Sequence, residues 1–335
     1  CMIADVVVDL QYGDCGKGKV THHLLKSGEY THCIRYNGGC NAGHSIFHNG
    51  VLFVTHHIPA GVFFGVKSII GPGCVVNLDQ FFKEIQELQD AGIEIKDKVF
   101  IAANAHIITS AHLEEDGKDT KIGTTKRGNG PAYRDKYARD GVRACDVIEL
   151  ERYVIDVYDE LHNKSENPVI LFEGAQGFGL DIDWGDYPYV TSSHCTVGSA
   201  ILNGVPPQSI RKVYGVAKGY ETYVGTKDFE PKQDAKIFHE IREIGQEFGA
   251  TTGRPRKCNW LDTKLLRKAI KINGVTDLIV NKMDVLKEVQ TWRVREGDKQ
   301  FVYFLNEDAM KEHIAVEARR SGVKDISFSY SPEAI

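Results

Sequence analysis

The stretch from Gly13 to Lys19, Gly-Asp-Cys-Gly-Lys-Gly-Lys, constrains the fold of this chain most, because it closes the apolar run Ile3 to Leu10. A strand that ends in glycines lets backbone N–H groups crowd around an anion. The helix that follows adds its positive end, and lysine adds a full charge. A glycine turn with solvated lysines is the alternative interpretation. We predict a phosphate-binding loop that includes Gly13, Gly16, Lys17 and Gly18.

The loop differs from a Walker A motif, which needs four residues between its first glycine and its Gly-Lys pair and a Ser or Thr after the lysine. Here two residues separate Gly13 from Gly16, and Gly18 follows Lys17. Asp14 is unexpected in such a loop, since a carboxylate repels phosphate unless a metal ion or a proton transfer requires it. Asp14 is therefore a candidate base or metal ligand.

Composition excludes several functional classes. With 335 residues, 42% of them hydrophobic and 26% charged, the chain is globular rather than disordered. A net charge of −5 and a pI near 6.2 argue against a general nucleic-acid binder. The eight cysteines form no CxxC pair, and no apolar stretch in the sequence is long enough to span a bilayer. We expect no leader. We expect a cytoplasmic protein, in the host cytoplasm if viral, that binds small molecules rather than nucleic acids or membranes.

Strand-like and helical patterns alternate along the chain, which predicts an α/β fold. Strand-like runs lie near 3–10, 97–102, 168–172, 212–217 and 277–281, and helical patterns lie near 78–91, 148–162, 236–247, 262–273 and 307–320. For the helix at 78, Asn77 and Gln80 predict a capping box. No repeat or linker divides the chain, so we expect residues 1–335 to form a single large domain. We expect it to have a central mostly parallel sheet, flanking helices and long nucleotide-binding loops.

Glycine, threonine and arginine collect in two further loops. Residues 122–143 carry several arginines outside any regular period, and Gly128 and Gly130 permit close backbone approach. This composition predicts a phosphate or nucleotide loop, with a solvated surface as the alternative. Residues 251–256, Thr-Thr-Gly-Arg-Pro-Arg, combine hydroxyls with two guanidinium groups that can hold a carboxylate in a bidentate grip. The second loop suggests an acidic co-substrate.

The order Asn281-Lys282-Met283-Asp284 follows the run 277–280 and is the NKxD pattern by which GTP-binding proteins recognise guanine. An aspartate carboxylate in this position can accept from both N1–H and the 2-amino group, which adenine does not offer in that arrangement. In a chain that also carries a glycine-rich phosphate loop, the pattern indicates GTP. A GTPase-like switch would explain these four residues but not the loop 251–256.

Together these segments resemble the adenylosuccinate synthetase family over most of the chain. The resemblance rests on ordered motifs at 13–19, 38–44, 123–143, 172–177, 186–193, 251–256 and 281–284. It implies a ligase that condenses L-aspartate with the 6-oxo carbon of a purine 5′-monophosphate, using GTP and Mg²⁺, in a homodimer. In this family the 6-oxygen is first phosphorylated, and the aspartate amine then displaces phosphate.

The same resemblance implies roles for individual residues. Asp14 matches the base that takes the N1 proton, His44 matches the general acid that polarises the phosphoryl group, and Lys17 would neutralise developing charge. Asp14 and the carbonyl of Gly43 match the protein ligands of Mg²⁺. The acceptor nucleotide would be bound by Asn41, Thr125, Gln176, Thr191 and Arg254, with Arg139 reaching its 5′-phosphate across a dimer interface. L-Aspartate would be bound by Thr251, Thr252, Arg254 and Arg256.

The segment Asp9-Leu10-Gln11-Tyr12 and Cys15 depart from the usual family pattern, which has Gly-x-Gln-Trp and a glutamate at these places. The short chain and this segment are similar to a phage branch that makes 2-aminoadenylosuccinate from dGMP, and the length also matches compact archaeal enzymes. The phage branch carries serine at the position of Asp14 and favours ATP, whereas this chain keeps both Asp14 and Asp284. We therefore expect IMP as acceptor and GTP as donor, with dGMP as the alternative acceptor. A catalytically dead homologue would not explain why Asp14 and His44 are both present.

Overall fold

The computed structural model describes residues 1–40, 43–124, 126–333 and 335. The strands of this part of the chain are β1 (Ile3–Asp9), β2 (His32–Arg35), β3 (His44–His48), β4 (Val51–Thr55), β5 (Lys67–Ile70), β6 (Val75–Val76), β7 (Val99–Ala102), β8 (His106–Ile107), β9 (Val154–Ile155), β10 (Val169–Glu173), β11 (Ile210–Lys218), β12 (Tyr220–Tyr223), β13 (Lys257–Asp262), β14 (Asp277–Asn281), β15 (Trp292–Glu296), β16 (Gln300–Phe304) and β17 (Asp325–Phe328).

The helices of the described residues are α1 (Lys17–Leu25), α2 (Leu78–Asp90), α3 (Ser110–Gly117), α4 (Asn129–Ala138), α5 (Val157–Asp159), α6 (Val197–Ile201), α7 (Ala235–Ile244), α8 (Thr263–Asn273), α9 (Met283–Val289) and α10 (Glu307–Arg320). The short α5 continues as a π-helical turn over Glu160–Lys164. Within this part of the chain no helix combines the length and the apolarity needed to cross a membrane.

The main sheet has nine strands among the described residues, in the order β17-β14-β11-β1-β10-β2-β5-β7-β9. Every pairing in it is parallel. The central strand β1 is buried at every position after Ile3, as expected for a parallel strand that is covered on both faces. The alternation of strands and helices in the sequence thus gives the predicted α/β fold with a parallel central sheet.

Smaller sheets surround this core. Strands β12, β13, β15 and β16 form a four-stranded mixed sheet, and β3 and β4 form an antiparallel hairpin. A continuous cluster of buried apolar side chains extends from Ala4 to Val323. The hairpin β3–β4 matters for the site because it begins with His44 and packs against α1.

Most of the predicted elements are confirmed, but the helix predicted at 148–162 is wrong. A 3₁₀ turn at Ile148–Leu150 is followed by β9, and helical structure begins only with α5. β9 pairs with the edge of β7, with Ile101 opposite Val154. Pairing of β9 with β7 has therefore overridden the helical pattern in the middle of this stretch.

The predicted capping box at α2 is half formed. The side chain of Asn77 accepts from the backbone N–H of Gln80 at 3.0 Å, so the N-cap is confirmed. The reciprocal bond is replaced, because the backbone N–H of Asn77 donates to His57 Nε2 at 3.1 Å and Gln80 Nε2 donates to Glu84 at 2.8 Å. The helix is therefore connected to a neighbouring segment rather than closed on itself.

Glu84 extends this connection. Its buried carboxylate accepts from the backbone N–H groups of His56, His57 and Ile58 at 3.0 to 3.1 Å. These three N–H groups lie just after β4, beyond Thr55, where the ladder between β3 and β4 ends in the part of the chain that the structure describes. A buried charged acceptor on α2 thus satisfies donors that would otherwise be left unpaired.

We predict that Glu84→Ala lowers the free energy of unfolding by about 3 kcal/mol or more, because three buried N–H groups lose a charged acceptor. The measurement is chemical denaturation followed by fluorescence. Glu87→Ala on the same helix is the matched control, since Glu87 is 55% exposed in an i,i+4 pair with Lys83 and should change stability by no more than about 0.5 kcal/mol. Equal effects of the two substitutions would contradict the proposed connection.

Candidate active site

Several segments with predicted function leave the same edge of the main sheet. The glycine-rich loop follows β1, residues 36–40 follow β2, residues 174–177 follow β10, and Lys282 follows β14. Because these strands are parallel, their carboxyl ends meet at one edge, which is where open α/β sheets bind ligands. The candidate site is therefore a set of loops on one side of the sheet.

The phosphate loop is organised from inside by Asp9, the last residue of β1. Its buried carboxylate accepts from the backbone N–H groups of Gln11 at 2.8 Å and of Gly13 and Cys15 at 3.2 Å. Lys17 lies 3.7 Å from the same carboxylate and donates to the carbonyl of Gln176. Sequence reasoning noted Asp9 only as a departure from the family. An acid at the end of a buried strand, just before a glycine loop, was the available signal.

The NKxD segment contacts this loop directly. Asn281 Nδ2 donates to the carbonyl of Cys15 at 2.7 Å, and a Cβ on Gly16 would lie 2.6 Å from that nitrogen. Asn281 Oδ1 is buried without a hydrogen-bond partner among the described residues. Gly16 also has a φ of +95°, which favours glycine. The structure therefore brings together two motifs that are far apart in the sequence, since Cys15 and Asn281 are separated by 266 residues.

Residues near the carboxyl end of the chain also approach the NKxD segment, which sequence reasoning did not predict. Lys19 Nζ donates to the carbonyl of Ser331 at 2.8 Å, and the backbone N–H of Met283 donates to the carbonyl of Ser329 at 3.1 Å. Burial and the charge of Lys282 lower the pKa of Lys19 to about 8, although Asp284 acts in the opposite direction. Lys19 thus lies near the charged groups of the NKxD segment.

The predicted base, Asp14, is paired with residues 251–256, the loop predicted to bind L-aspartate and called the aspartate loop below. Asp14 has a φ of +58°, and its Oδ2 lies 3.3 Å from Nε of Arg256, as an ion pair without hydrogen-bond alignment. Nη1 of Arg256 donates to the buried carboxylate of Glu247 at 2.7 Å. Lys218 also donates to Glu247, at 3.1 Å, and Lys282 lies 3.9 Å from it. Glu247 is a site residue that the sequence patterns missed.

The rest of the aspartate loop lies beside the segment that carries Gly43. Thr251 Oγ1 is 2.9 Å from Nε2 of His56, and a Cβ on Gly43 would lie 3.4 Å from that of Ala250. Thr252 Oγ1 accepts from the backbone N–H of Arg254 at 3.2 Å. The side chains of Thr251, Thr252 and Arg254 are exposed, so the loop can be reached by a ligand, although both threonine hydroxyls also make contacts within the protein.

His44 is held by a second arginine. Nη2 of Arg35 is 3.0 Å from Nδ1 of His44, and the same guanidinium is paired with Glu173 at 3.0 Å. Burial, together with the positive charges of Arg35 and Lys17, keeps the pKa of His44 well below its usual range. The imidazole is therefore neutral at physiological pH.

Two unpartnered amides lie on either side of a diglycine at the start of the segment after β2. A Cβ on Gly38 would lie 3.0 Å from Oε1 of Gln176, and one on Gly39 would lie 2.8 Å from Oδ1 of Asn129. Both amides are buried, and neither has a hydrogen-bond partner among the described residues. Buried amides normally find partners, so this arrangement indicates a polar ligand. Gln176 was predicted, whereas Asn129 was not.

The remaining predicted acceptor residues are only partly brought to this place. Thr191 is half-buried, and its neighbour Ser192 lies 3.5 Å from the position of a Cβ on Gly130, near the start of α4. Arg139 is exposed just beyond the other end of α4, about 15 Å along the helix from Asn129. The predicted residues Asn41 and Thr125 lie outside the described residues.

The fold and these loops define a nucleotide-binding α/β enzyme in which a phosphate loop, an NKxD segment and a guanidinium-rich loop meet at one edge of a parallel sheet. The adenylosuccinate synthetase family model matches residues 6–152 and 147–320. The chain is 38% identical to the adenylosuccinate synthetase of Caldanaerobacter subterraneus subsp. tengcongensis over 89% of this chain and 82% of that protein. It is also 38% identical to the enzyme of Thermodesulfovibrio yellowstonii, over 88% and 80%.

Solved structures agree with these comparisons. The fully ligated adenylosuccinate synthetase of Plasmodium falciparum matches with a TM-score of 0.78 and 29% identity, over 92% of this chain and 85% of that one. The succinoaminodeoxyadenylate synthetase of cyanophage S-2L, bound to dGMP and dATP, matches with a TM-score of 0.77 over 99% and 93%, and at 20% identity it supports the fold alone. The chain belongs to the adenylosuccinate synthetase family and is a GTP-dependent ligase that forms a C–N bond.

We predict that Gly16→Ala weakens GTP binding about tenfold or more, because the new Cβ would displace Asn281 or the loop. Isothermal titration calorimetry with GTP measures the effect. Gly28→Ala is the matched control, since Gly28 also has a positive φ, +72°, but no neighbouring atom of the described residues lies within 4 Å of its Cβ position. Equal losses of affinity would show that backbone strain, rather than the contact with Asn281, is responsible.

Proposed function

We propose that this chain condenses L-aspartate with IMP to form adenylosuccinate, while GTP is converted to GDP and phosphate. The observation that carries this proposal is the 3.3 Å ion pair between Asp14 and Arg256. It joins the only carboxylate of the phosphate-loop stretch from Gly13 to Lys19 to the guanidinium-rich loop suited to an acidic substrate. A phosphoryl-transfer site and an amine-donor site therefore share one boundary, as a two-step ligation requires.

In the first step, Asp14 accepts the N1 proton of the purine, and the 6-oxygen attacks the γ-phosphorus of GTP. The bond from that phosphorus to the bridging oxygen breaks, and GDP leaves with the electron pair. In the second step, the amine of L-aspartate attacks C6, the C6–O bond breaks, phosphate leaves with the electron pair, and the proton released by the amine passes to the phosphate. Each step replaces one bond at the reacting atom and requires no further reactant.

The proposed roles follow from the chemistry of each group. His44, as a neutral imidazole, would donate a hydrogen bond to the transferring phosphoryl group, and Lys17 would neutralise charge that develops there. The backbone of Gly13, Gly16 and Gly18 would contact the phosphates. Asn281, Lys282 and Asp284 would bind the guanine of GTP, and the unpartnered Oδ1 of Asn281 supports a ligand at that place.

The other two substrates would bind on either side of the loop. Gln176, with its unpartnered buried amide, would contact the purine monophosphate together with the predicted Asn41, Thr125, Thr191 and Arg254. The loop of Thr251, Thr252, Arg254 and Arg256 would bind L-aspartate through its carboxylates.

The same reaction on dGMP is the alternative, with N6-succino-2-amino-2′-deoxyadenylate as the product. It is favoured by the segment Asp9-Leu10-Gln11-Tyr12, in which the buried Asp9 replaces the family's glycine and organises the loop. The similarity in fold to a phage enzyme bound to dGMP is compatible with it. Asp14 and Asp284, both present here, favour IMP and GTP.

We also propose Mg²⁺ as the cofactor, a homodimer as the assembly and the cytoplasm as the location. Within the described residues no group of three or more His, Cys, Asp or Glu side chains could hold a metal ion. The oxygen donors of Asp14 and Gly43 fit a hard cation that is held mainly by phosphate oxygens, where it would offset phosphoryl charge.

The exposed guanidinium of Arg139 could reach the acceptor phosphate bound by a second copy of the chain. Residues 1–335 would act as one domain.

We predict that wild-type protein with L-aspartate, GTP and Mg²⁺ turns over IMP faster than dGMP. We also predict that Asp14→Asn lowers kcat by about 10²- to 10⁴-fold, because the base is lost. Release of phosphate and formation of the succinyl product are measured together. GTP binding by the variant, measured by calorimetry, should persist. Faster turnover of dGMP would replace IMP as the acceptor, and GTP hydrolysis without aspartate or purine would indicate a GTPase instead.

We predict that Asn129→Ala raises the KM for the purine monophosphate about tenfold and leaves the KM for GTP unchanged, because a buried amide that faces the acceptor loses its ligand contact. Steady-state kinetics with each substrate varied in turn measures the effect. Asn163→Ala is the control, since Asn163 is exposed and bonded to Asp159 on the surface. An unchanged KM for the acceptor would exclude Asn129 from this site.

A further inference from the structure

Arg35, the last residue of β2, contacts three partners through all three nitrogens of its guanidinium group. Nη2 is 3.0 Å from Nδ1 of His44, and Nη2 and Nε donate to Oε1 of Glu173 at 3.0 and 3.3 Å. Nη1 donates to the carbonyl of His56 at 2.5 Å. The arginine is 1% exposed, so water does not compete for these bonds. Its planar group is thus fixed in position and in rotation.

An arginine can only donate hydrogen bonds. Nδ1 of His44, which faces Nη2 of Arg35, must therefore be the acceptor. In a neutral imidazole, an acceptor at Nδ1 leaves the proton on Nε2. A ring nitrogen that accepts a hydrogen bond carries no proton, so this contact by itself requires a neutral ring with its one proton on Nε2.

Glu173 prevents the guanidinium from turning away. It is the last residue of β10, which is paired with β2, and it is 3% exposed. Its second carboxylate oxygen accepts from the backbone N–H of Ala60 at 3.1 Å. The carboxylate is therefore fixed from two sides, and Arg35 projects from the rigid sheet toward the first residue of the hairpin β3–β4.

We propose that Arg35 is a positioning residue of the reaction, which holds His44 as the Nε2–H tautomer so that this single proton points at the transferring phosphoryl group. The inference rests on the proposed function of His44. A purely structural arginine would need only the pair with Glu173 and the bond to His56. The contact with Nδ1 of His44 is not needed for either of these two interactions. It determines which nitrogen of the imidazole carries the proton.

The first test uses wild-type protein labelled with ¹⁵N at histidine. Long-range ¹H–¹⁵N spectra between pH 6 and 8 distinguish the two tautomers, and the His44→Asn variant identifies the signal. We expect a protonated Nε2 and an unprotonated Nδ1 over the whole range. A proton on Nδ1, or an imidazolium ion, overturns the inference without any activity measurement.

The second test uses Arg35→Lys, which keeps a positive charge beside Glu173 but lacks the fork that reaches His44. We expect the Nε2–H form to give way to a mixture of tautomers, and kcat to fall about tenfold or more while the KM for GTP and the purine nucleotide changes less than about twofold. Thermal unfolding monitors the fold. The double variant Arg35→Met with Glu173→Gln removes both charges together, leaves no lone buried carboxylate, and should give the same kinetic pattern.

Arg295→Lys is the matched control, since Arg295 is also a buried arginine. It is paired with the buried Glu221 at 2.6 Å, and it does not contact His44 in the described residues. It should leave both kcat and the His44 spectrum unchanged. A folded Arg35→Lys protein with wild-type kcat and an unchanged tautomer overturns the inference. If wild-type protein makes no succinyl product, the proposed function fails instead, and the spectra of His44 still decide the tautomer.

Discussion

The buried carboxylate of Glu247 is the interaction on which the geometry of the site depends. It accepts from Lys218 at the end of β11 and from Arg256 in the aspartate loop, and Lys282 of the NKxD segment lies 3.9 Å away. Burial alone would raise the pKa of Glu247, but these three cations outweigh it and lower the pKa to about 2. One ionised group therefore fixes three segments relative to each other. Its stabilisation is complete above the ordinary pKa of 4.5 and is lost as the pH falls toward 2.

This arrangement makes the proposed GTP site and the proposed L-aspartate site mutually dependent. Removing one partner of a buried ion pair leaves an uncompensated charge, which costs far more than the pair itself contributes. A change in the aspartate loop at Arg256 would therefore disturb Lys218 and Lys282 as well as Asp14. The buried carboxylate thus links the position of the predicted base to the position of the predicted guanine reader, although no bond joins them directly.

The sequence predicts the local parts of this arrangement better than their assembly. Strands β1, β10, β11 and β14 are apolar runs that end in glycine or polar residues, so their loops could be recognised and assigned chemistry. Periodicity failed at 148–162, where an edge strand pairs with β7. Glu247 was missed because it lies in no recognised motif, and the roles of Asp9 and Glu173 were missed because their partners, such as Arg35 for Glu173 at a separation of 138 residues, are set by the topology.

The two residues proposed for proton transfer are supported in the same way. Asp14 contacts Arg256, whose other side is held by the buried Glu247, and His44 contacts Arg35, which is held by the buried Glu173. In each case a buried glutamate fixes an arginine, and the arginine fixes a group that would meet the substrate. Rigid support of this kind positions reacting groups before the substrate arrives, which lowers the reorganisation needed in the transition state.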